Sequence, residues 1–315
     1  MTGDADARAV ALERVIALIN DKGGVGKTSL TANLGGQLAA AGYNVLLVDL
    51  NRQANLADDF GYRNRDGVDD QGAGFLSSLL AGTPLAPVVG VRPNLHVVPG
   101  GIRLEDLTPL MLSRFQNKGR AAFLALADAL VPIAGNYDVI LLDTPPENVT
   151  LGDLALGAAR WVLMPTKSDS GGLVGMQLVA RRFTLAREIN PGIGLLGVVL
   201  FATGTGATAI HAEVRRDVTA SFGGQSPVFS ATIRHSERVG RDCRKLGKLA
   251  HELEVAAAAQ PAWWESLRRG EKTLRISRTA ASVSGDYKHL AAEVLEVLQT
   301  AEQDAQAVTA GTGER

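Results

Sequence analysis

The residues with the clearest capacity for chemistry lie near the start of the chain, at positions 20–29, where the sequence is N-D-K-G-G-V-G-K-T-S. An apolar run at 15–19 precedes them, and a run of small, helix-compatible residues at 30–41 follows. This order of strand, glycine loop and helix is the context that a phosphate-binding loop requires. Glycines let backbone N–H groups approach an anion, and the following helix directs its positive end toward the same point. We therefore predict a phosphate site in this loop.

Each residue type in the loop has a defined task. Lys27 would reach the β- and γ-phosphates of a nucleotide, and the hydroxyl of Thr28 would bind Mg²⁺. The predicted nucleotide-binding residues are Gly23, Gly24, Val25, Gly26, Lys27, Thr28 and Ser29. The strict motif has a glycine at the position of Asp21, and here a second lysine, Lys22, stands at the start of the loop. A glycine-rich turn with two solvated lysines is the disfavoured alternative, because strand, loop and helix follow in the required order.

The variant K-G-G-V-G-K-T at 22–28 resembles the deviant Walker A motif of the ParA/MinD family of ATPases. The resemblance implies ATP and Mg²⁺ as ligands and an ATP-dependent homodimer that holds nucleotide between its subunits. It also implies that Lys22 acts on the nucleotide of the partner subunit, whereas Lys27 acts within its own site. With Asp49 and Asn51, these two lysines form the predicted catalytic set.

Two apolar segments, 44–50 (N-V-L-L-V-D-L) and 137–143 (Y-D-V-I-L-L-D), have the composition of strands buried on both faces. Asp49 and Asp143 stand at their C-terminal ends, where doubly wound sheets place ligands. Asp143 is followed by T-P-P, a Walker B arrangement expected to hold Mg²⁺ and its water. The predicted metal-binding residues are Thr28, Asp49 and Asp143. Residues 147–151 would then correspond to switch II.

The residues after Asp49 resemble the switch I segment of the family, commonly D-x-D-P-Q. Asn51 stands where the second, water-activating aspartate is expected, and Arg52 replaces the proline. An asparagine amide can orient a water molecule but is not a useful base near neutral pH. We therefore expect slow ATP hydrolysis. A non-hydrolysing nucleotide switch, whose ATP state gates partner binding, is the alternative from a different class of protein.

Strands that alternate with helices predict an α/β fold with a doubly wound, mostly parallel sheet flanked by helices, here a P-loop NTPase of the deviant Walker A class. We expect a flexible lead-in over 1–13, one ATPase domain over 14–300 with an insertion at about 256–280, and a flexible tail over 301–315. The insertion contains Trp263 and Trp264 beside several arginines. Two interpretations of this pattern stay open: these residues contact DNA or a partner, or the tryptophans form a local hydrophobic anchor beside solvated charges.

Charge is balanced over the whole chain, with 32 Lys and Arg against 33 Asp and Glu, so a nucleic-acid surface must be local. Residues 234–248 have six basic and two acidic side chains, a local balance of +4. Spacing of three and four residues predicts that Arg234, Arg238, Arg241 and Lys245 lie on one helix face. The candidate DNA-binding residues are Arg234, Arg238, Arg241, Arg244 and Lys245. An ordinary solvated face is the alternative, and the resemblance favours DNA because relatives carry their nonspecific DNA surface in this region.

One cysteine, Cys243, excludes a disulfide framework and fits a reducing cytoplasm. No apolar run reaches about 18 residues, and the closing segment 287–298 lacks the basic face of a MinD-type membrane helix. We therefore expect a cytoplasmic, nucleoid-associated ATPase of the ParA type. It would bind double-stranded DNA nonspecifically and position a plasmid, chromosome or other cargo with a ParB-like centromere-binding protein or cargo adaptor. A MinD-type ATPase and a small-molecule kinase remain as further alternatives.

Overall fold

The computed structural model describes residues 2–146, 148–167, 181–203, 208–221, 228–261, 268 and 276–312. The strands in this part of the chain form one sheet. They are β1 (Val15–Leu18), β2 (Val45–Asp49), β3 (Val88–Arg92), β4 (Leu95–Val98), β5 (Val139–Asp143), β6 (Trp161–Thr166), β7 (Gly194–Thr203) and β8 (Val228–Arg234). Their order is β3-β4-β2-β5-β1-β6-β7-β8. Every neighbouring pair is parallel except β3 with β4. The predicted doubly wound, mostly parallel sheet is confirmed.

Helices cover both faces of this sheet. They are α1 (Thr2–Ala11), α2 (Lys27–Ala40), α3 (Asn55–Phe60), α4 (Ala73–Ala81), α5 (Leu107–Lys118), α6 (Ala125–Ala134), α7 (Val149–Ala158), α8 (Thr208–Ser221), α9 (Glu237–Leu246), α10 (Ala250–Ala258) and α11 (Ala280–Thr312). Two 3-10 helices, Ile102–Asp106 and Gly119–Leu124, flank α5. Residues 181–186 are also helical.

Alternating strand residues enter separate cores on the two faces. On β1, Ile16 and Leu18 pack with α2, α10 and α11, whereas Val15 and Ala17 pack with α4, α6 and α7. All four side chains are buried. Because both faces are covered, these strands need apolar residues at every position, which explains the uninterrupted apolar runs in the sequence.

The carboxyl ends of β1, β2 and β5 meet at one edge of the sheet. Strand β5 lies between the other two, with Asp143 paired in register with Leu18 on one side and Asp49 on the other. The loop at 19–26 follows β1, and the segment after Asp49 follows β2. The topology therefore brings three distant parts of the sequence to one place, as open parallel sheets do at their ligand sites.

Both ends of the chain contain helical segments. Residues 2–11 form α1, where Arg8 donates to Asp128 at 2.7 Å, and Leu12 is buried behind it. Helix α11 continues beyond residue 300 to Thr312, and Glu302 accepts from Nε of Arg14 at 2.6 Å. Each helix forms one long-range ion pair with the rest of the chain, and the expected flexibility of 1–13 and 301–315 stays a prediction.

The predicted insertion lies largely outside the described residues, including Trp263 and Trp264. The division into one domain over 14–300 stays a prediction. In the part of the chain that the structure describes, no helix has the length and apolar character needed to span a membrane.

Close packing on the far side of the sheet gives a stability prediction. A Cβ at Gly157, in α7, would lie 2.4 Å from the backbone oxygen of Phe123, which cannot swing aside as a side chain could. Gly157→Ala should therefore lower the free energy of unfolding by about 1–3 kcal/mol. Gly240→Ala, in α9, is the control because nothing lies within 4 Å of its added Cβ. It should raise stability by about 0.5–1 kcal/mol. Urea unfolding of both variants measures the difference, and equal stabilities would contradict the packing argument.

Candidate nucleotide site

The glycine loop adopts a conformation that requires glycine. Gly24 and Gly26 have φ values of +71° and +88°, in the left-handed region that other residues rarely adopt. At Gly26 an added Cβ would also lie 2.3 Å from the ring of Phe201. Gly26 directly precedes α2, so the loop ends at the positive end of that helix. This backbone arrangement is suited to an anion.

Lys27 is only 5% exposed, although it is charged. Its Nζ donates to the backbone oxygens of Asn20 at 2.6 Å and Lys22 at 3.1 Å. The Asn20 side chain in turn accepts from the N–H of Lys22 at 2.9 Å and donates to the oxygen of Pro165, on β6, at 2.8 Å. The ammonium group is therefore held at the mouth of the loop by backbone carbonyls, which are ligands that an anionic phosphate could replace.

The predicted metal-binding residues meet below the loop. The Thr28 hydroxyl donates to Oδ2 of Asp143 at 2.7 Å, and Asp143 is fully buried. Asp49 is also fully buried, and its Oδ1 accepts from the N–H of Asn51 at 2.8 Å. The other carboxylate oxygen, Oδ2, has no hydrogen-bond partner in the described part of the chain. An unpartnered buried oxygen beside a hydroxyl and a second carboxylate is a donor set that fits Mg²⁺.

Burial is the main cause that raises the pKa values of both acids, and a neighbouring carboxylate adds to it in each case, Asp59 for Asp143 and Asp143 for Asp49. Desolvation raises the pKa of Asp143 to about 7, although Thr28 and Lys27 act in the opposite direction. Desolvation and the neighbouring Asp143 hold the pKa of Asp49 well above its ordinary value. A divalent cation bound near these carboxylates would oppose both shifts, because it favours the ionised carboxylates. The electrostatics of the two strand ends thus agree with the geometry.

Asn51 lies in the same cleft and is 5% exposed. Its side-chain oxygen accepts from the N–H of Gln53 at 2.9 Å, which forms a local turn. The loop is packed against Gly100, where an added Cβ would lie 2.7 Å from the backbone oxygens of both Asn51 and Asp49. The structure therefore fixes this segment beside the phosphate loop.

A cleft of about 830 Å³ opens above these residues. It is lined by the glycine loop, by residues 51–53 and by the first turn of α7, and this volume is suitable for a nucleotide. Phe201 and Arg244 also line it, and the sequence reasoning assigned neither to the cleft. Phe201 has no motif around it, and the basic segment around Arg244 pointed to DNA, so only the fold places these two residues at the cleft. Glu147, the first residue of the predicted switch II, lies outside the described residues.

The five candidate DNA-binding residues do not all lie on one surface of the protein. Arg234 ends β8 rather than lying on a helix, and its guanidinium is paired with Asp286 at 2.7 Å. Arg244 faces the nucleotide cleft, with its Nε 3.6 Å from the buried carboxylate of Asp59. The remaining three residues, Arg238, Arg241 and Lys245, are exposed and share one side of α9. The prediction of a single helix face containing Arg234 was wrong because the helix begins three residues later.

Comparison with known proteins agrees with this site. Residues 13–194 match the family model described as an AAA domain, which spans more than half of the chain. The chromosome-partitioning ATPase Soj of Thermus thermophilus is 32% identical over 255 residues, which cover 76% of this chain and 95% of Soj.

Two solved structures share the fold and contain nucleotide. The ATP complex of a McdA variant from Cyanothece has a TM-score of 0.64 at 20% identity, and the match covers 83% of this chain and 98% of McdA. Cobyrinic acid a,c-diamide synthase from Mycobacterium smegmatis, with bound ADP and magnesium, has a TM-score of 0.60 at 25% identity, covering 84% and 99% of the two chains. With its deviant phosphate loop, its two strand-end aspartates and these relatives, the chain belongs to the Soj/ParA family of P-loop partition ATPases.

Proposed function

We propose that this chain binds ATP with Mg²⁺, forms an ATP-dependent homodimer, binds double-stranded DNA without sequence preference and hydrolyses ATP slowly. In this proposal it positions a plasmid, chromosome or other cargo together with a ParB-like protein or cargo adaptor, in the cytoplasm and on the nucleoid. The observation that carries the proposal is the cleft lined by the phosphate loop, Thr28 and Asn51, with the buried carboxylates Asp49 and Asp143 directly beneath it. Membership of a partition ATPase family supports it.

The residues of the cleft divide the work of phosphate transfer. Backbone N–H groups at 23–29 bind the phosphate oxygens, and Lys27 neutralises the charge that develops on them. Thr28 and the two aspartates hold Mg²⁺, which would supply charge stabilisation at the β- and γ-phosphates. Asn51 faces the place where a water molecule must be oriented. Catalysis in such a site depends on positioning and electrostatics more than on covalent chemistry.

Lys22 has a different role from Lys27 in this proposal. The two residues are five positions apart, and Lys22 contributes its carbonyl oxygen to the hold on Lys27. Its side chain is only partly buried, at the rim of the loop. A lysine so placed can contact the phosphates of a nucleotide in a second copy of the chain, as the resemblance to the deviant Walker A class implies.

Alanine substitution separates the two lysines. Lys27→Ala should abolish nucleotide binding, because it removes the buried cation of the loop. Lys22→Ala should leave binding to the monomer within about twofold of wild type and prevent dimerisation with a non-hydrolysable ATP analogue. Lys118→Ala, which removes an exposed lysine at the end of α5, is the matched control. Fluorescence titration gives the affinity and analytical ultracentrifugation gives the dimer. An ATP-bound dimer of Lys22→Ala would refute the trans role.

Asn51 is the reason to propose slow hydrolysis. Its carbonyl oxygen can orient water, but that oxygen is already engaged by the N–H of Gln53, and the amide cannot accept a proton from the water. General-base assistance is worth about 10²–10⁴-fold in rate. Its loss would give a long-lived ATP state, as expected of a protein that stays on DNA until a partner stimulates it.

Restoring a carboxylate tests this role. Asn51→Asp should raise the basal rate of ATP hydrolysis by about tenfold or more, measured as phosphate release with and without DNA. Asn55→Asp is the control, since it makes the same chemical change in the same cleft. Fast wild-type turnover that Asn51→Asp leaves unchanged or lowers would show that another group positions the water. ATP binding with no hydrolysis under any condition would instead support a nucleotide-switch adaptor. This is the second candidate function, because Asn51 stands where the water-activating aspartate is expected.

The exposed side of α9 is the proposed DNA surface. Arg238, Arg241 and Lys245 lie on one side of the helix, whose opposite side, with Val239 and Cys243, is buried. Exposed basic residues in a row suit contact with phosphates, which carries no sequence information. One subunit offers few such contacts, so two subunits in an ATP-bound dimer should be needed for stable binding.

Charge reversal tests the surface. Arg238→Glu with Arg241→Glu should weaken binding of the ATP-bound protein to any duplex by at least about tenfold and flatten its salt dependence. Arg103→Glu with Lys118→Glu makes the same change in net charge at other exposed sites and is the control. Fluorescence anisotropy with two unrelated duplexes at several salt concentrations gives both quantities. Equal loss in the two double variants would mean that net charge, and not α9, determines binding.

A further inference from the structure

A buried arginine connects the phosphate loop to α7. Arg182 lies outside every motif, and its side chain is 11% exposed. Its Nη1 donates to Oδ1 of Asp21 at 2.5 Å, immediately before Lys22. Its Nε and Nη2 donate to Oδ1 of Asp153 at 3.1 and 3.0 Å, and Nη2 also donates to the backbone oxygen of Val149 at 3.0 Å. One planar guanidinium thus bridges two elements that border the cleft.

The packing around Arg182 indicates a built arrangement. Gly152 lies on α7 between Val149 and Asp153, and an added Cβ there would lie 2.0 Å from Nη2 of Arg182. Any other residue would exclude the guanidinium from its present place. The fork of Arg182 supplies donors in three directions, a geometry that lysine cannot reproduce.

The two bridged elements both border the proposed nucleotide cleft. Asp21 begins the loop that holds Lys22 and Lys27, and α7 begins shortly after Asp143, with Val149 at the wall of the cleft. No backbone hydrogen bond of the described loops joins residues 20–26 directly to 148–153. Among the described residues, the guanidinium is a direct polar connection between them.

We propose that Arg182 is a positioning residue that fixes the start of the phosphate loop and the first turn of α7 relative to each other, so that both close on the γ-phosphate together. This inference rests on the proposed ATPase function and deepens it. Arg182 does not touch the nucleotide in this proposal. Its loss should spare ADP binding, which depends on 23–29, and impair the steps that need the γ-phosphate.

The first test compares Arg182→Gln with Arg181→Gln, its neighbour on the same helical segment, whose side chain is exposed. Arg182→Gln should bind Mg-ADP within about twofold of wild type, whereas kcat and the fraction of ATP-dependent dimer fall by about 10- to 100-fold. Arg181→Gln should behave as wild type. Arg182→Lys should restore little, because one ammonium cannot bridge both acids. Wild-type turnover and dimerisation in Arg182→Gln would overturn the proposal.

The acids provide a second test if Arg182→Gln folds poorly. Asp21→Asn and Asp153→Asn should each lower kcat, and the double variant should be no worse than the stronger single variant, since both act through one guanidinium. If the losses in kcat of the two single variants add in the double variant, the proposed role of Arg182 is overturned. A parallel fall in melting temperature and Mg-ADP affinity in these variants would also overturn it.

Hydrogen exchange separates this inference from the proposed function. With AMP-PNP bound, Arg182→Gln should exchange about tenfold faster than wild type in peptides covering 20–26 and 148–154, with no change over 27–40. If the wild-type protein neither dimerises nor hydrolyses ATP, but Arg182→Gln still shows this faster exchange, the proposed function is rejected and the positioning role stands. Unchanged exchange at 20–26 and 148–154 would reject the positioning role alone.

Discussion

Two carboxylates buried side by side are the constraint on which the site depends. Asp49 and Asp143 end neighbouring strands in register, and neither is exposed. Burial of two like charges is costly unless a cation or hydrogen bonds compensate for them. Lys27 and Thr28 compensate in part for Asp143, whereas one oxygen of Asp49 has no hydrogen-bond partner among the described residues. The strand ends are thus electrostatically incomplete in a way that Mg²⁺ bound to a nucleotide would correct.

The parallel sheet makes this arrangement possible. Parallel strands direct their carboxyl ends to one edge, and helices on both faces bury the strands that carry the acids. The phosphate loop follows β1, which neighbours β5, so Lys27 and Thr28 reach Asp143 from the adjacent strand. Segments more than a hundred residues apart therefore converge without any long loop.

The sequence predicted the parts of this structure that depend on local pattern. The strands ending at Asp49 and Asp143 were predicted from their apolar runs, and the phosphate loop from its glycines and lysines. Strand β3 was missed because V-V-G-V-R at 88–92 is short, partly exposed and interrupted by glycine. Helix α1 and the continuation of α11 beyond residue 300 were not predicted, and the ion pairs that they form, Arg8 with Asp128 and Arg14 with Glu302, join residues far apart in the sequence.

The same limit applies to side chains around the site. The spacing of Arg234 and Arg238 suggested one helix face, but the end of β8 separates them, and Asp286 binds Arg234. Arg244 was included in the predicted DNA surface because it lies in the basic segment, yet it pairs with buried Asp59 beside the cleft. Residue spacing shows which side chains share a helix face only when the first and last residues of the helix are known. Correcting those limits reduced the predicted DNA surface to the exposed side of α9.

The loops around the cleft differ from the sheet below in how they are held. The strands are fixed by a buried core on each face, whereas each loop is fixed by a few polar side chains. Asn20 anchors the phosphate loop to β6, Asp49 anchors the segment of Asn51, and Arg182 anchors α7. A ligand that competes for one of these contacts can therefore move a loop without disturbing the core. Asp59 with Arg244 makes the same kind of polar connection between α3 and α9.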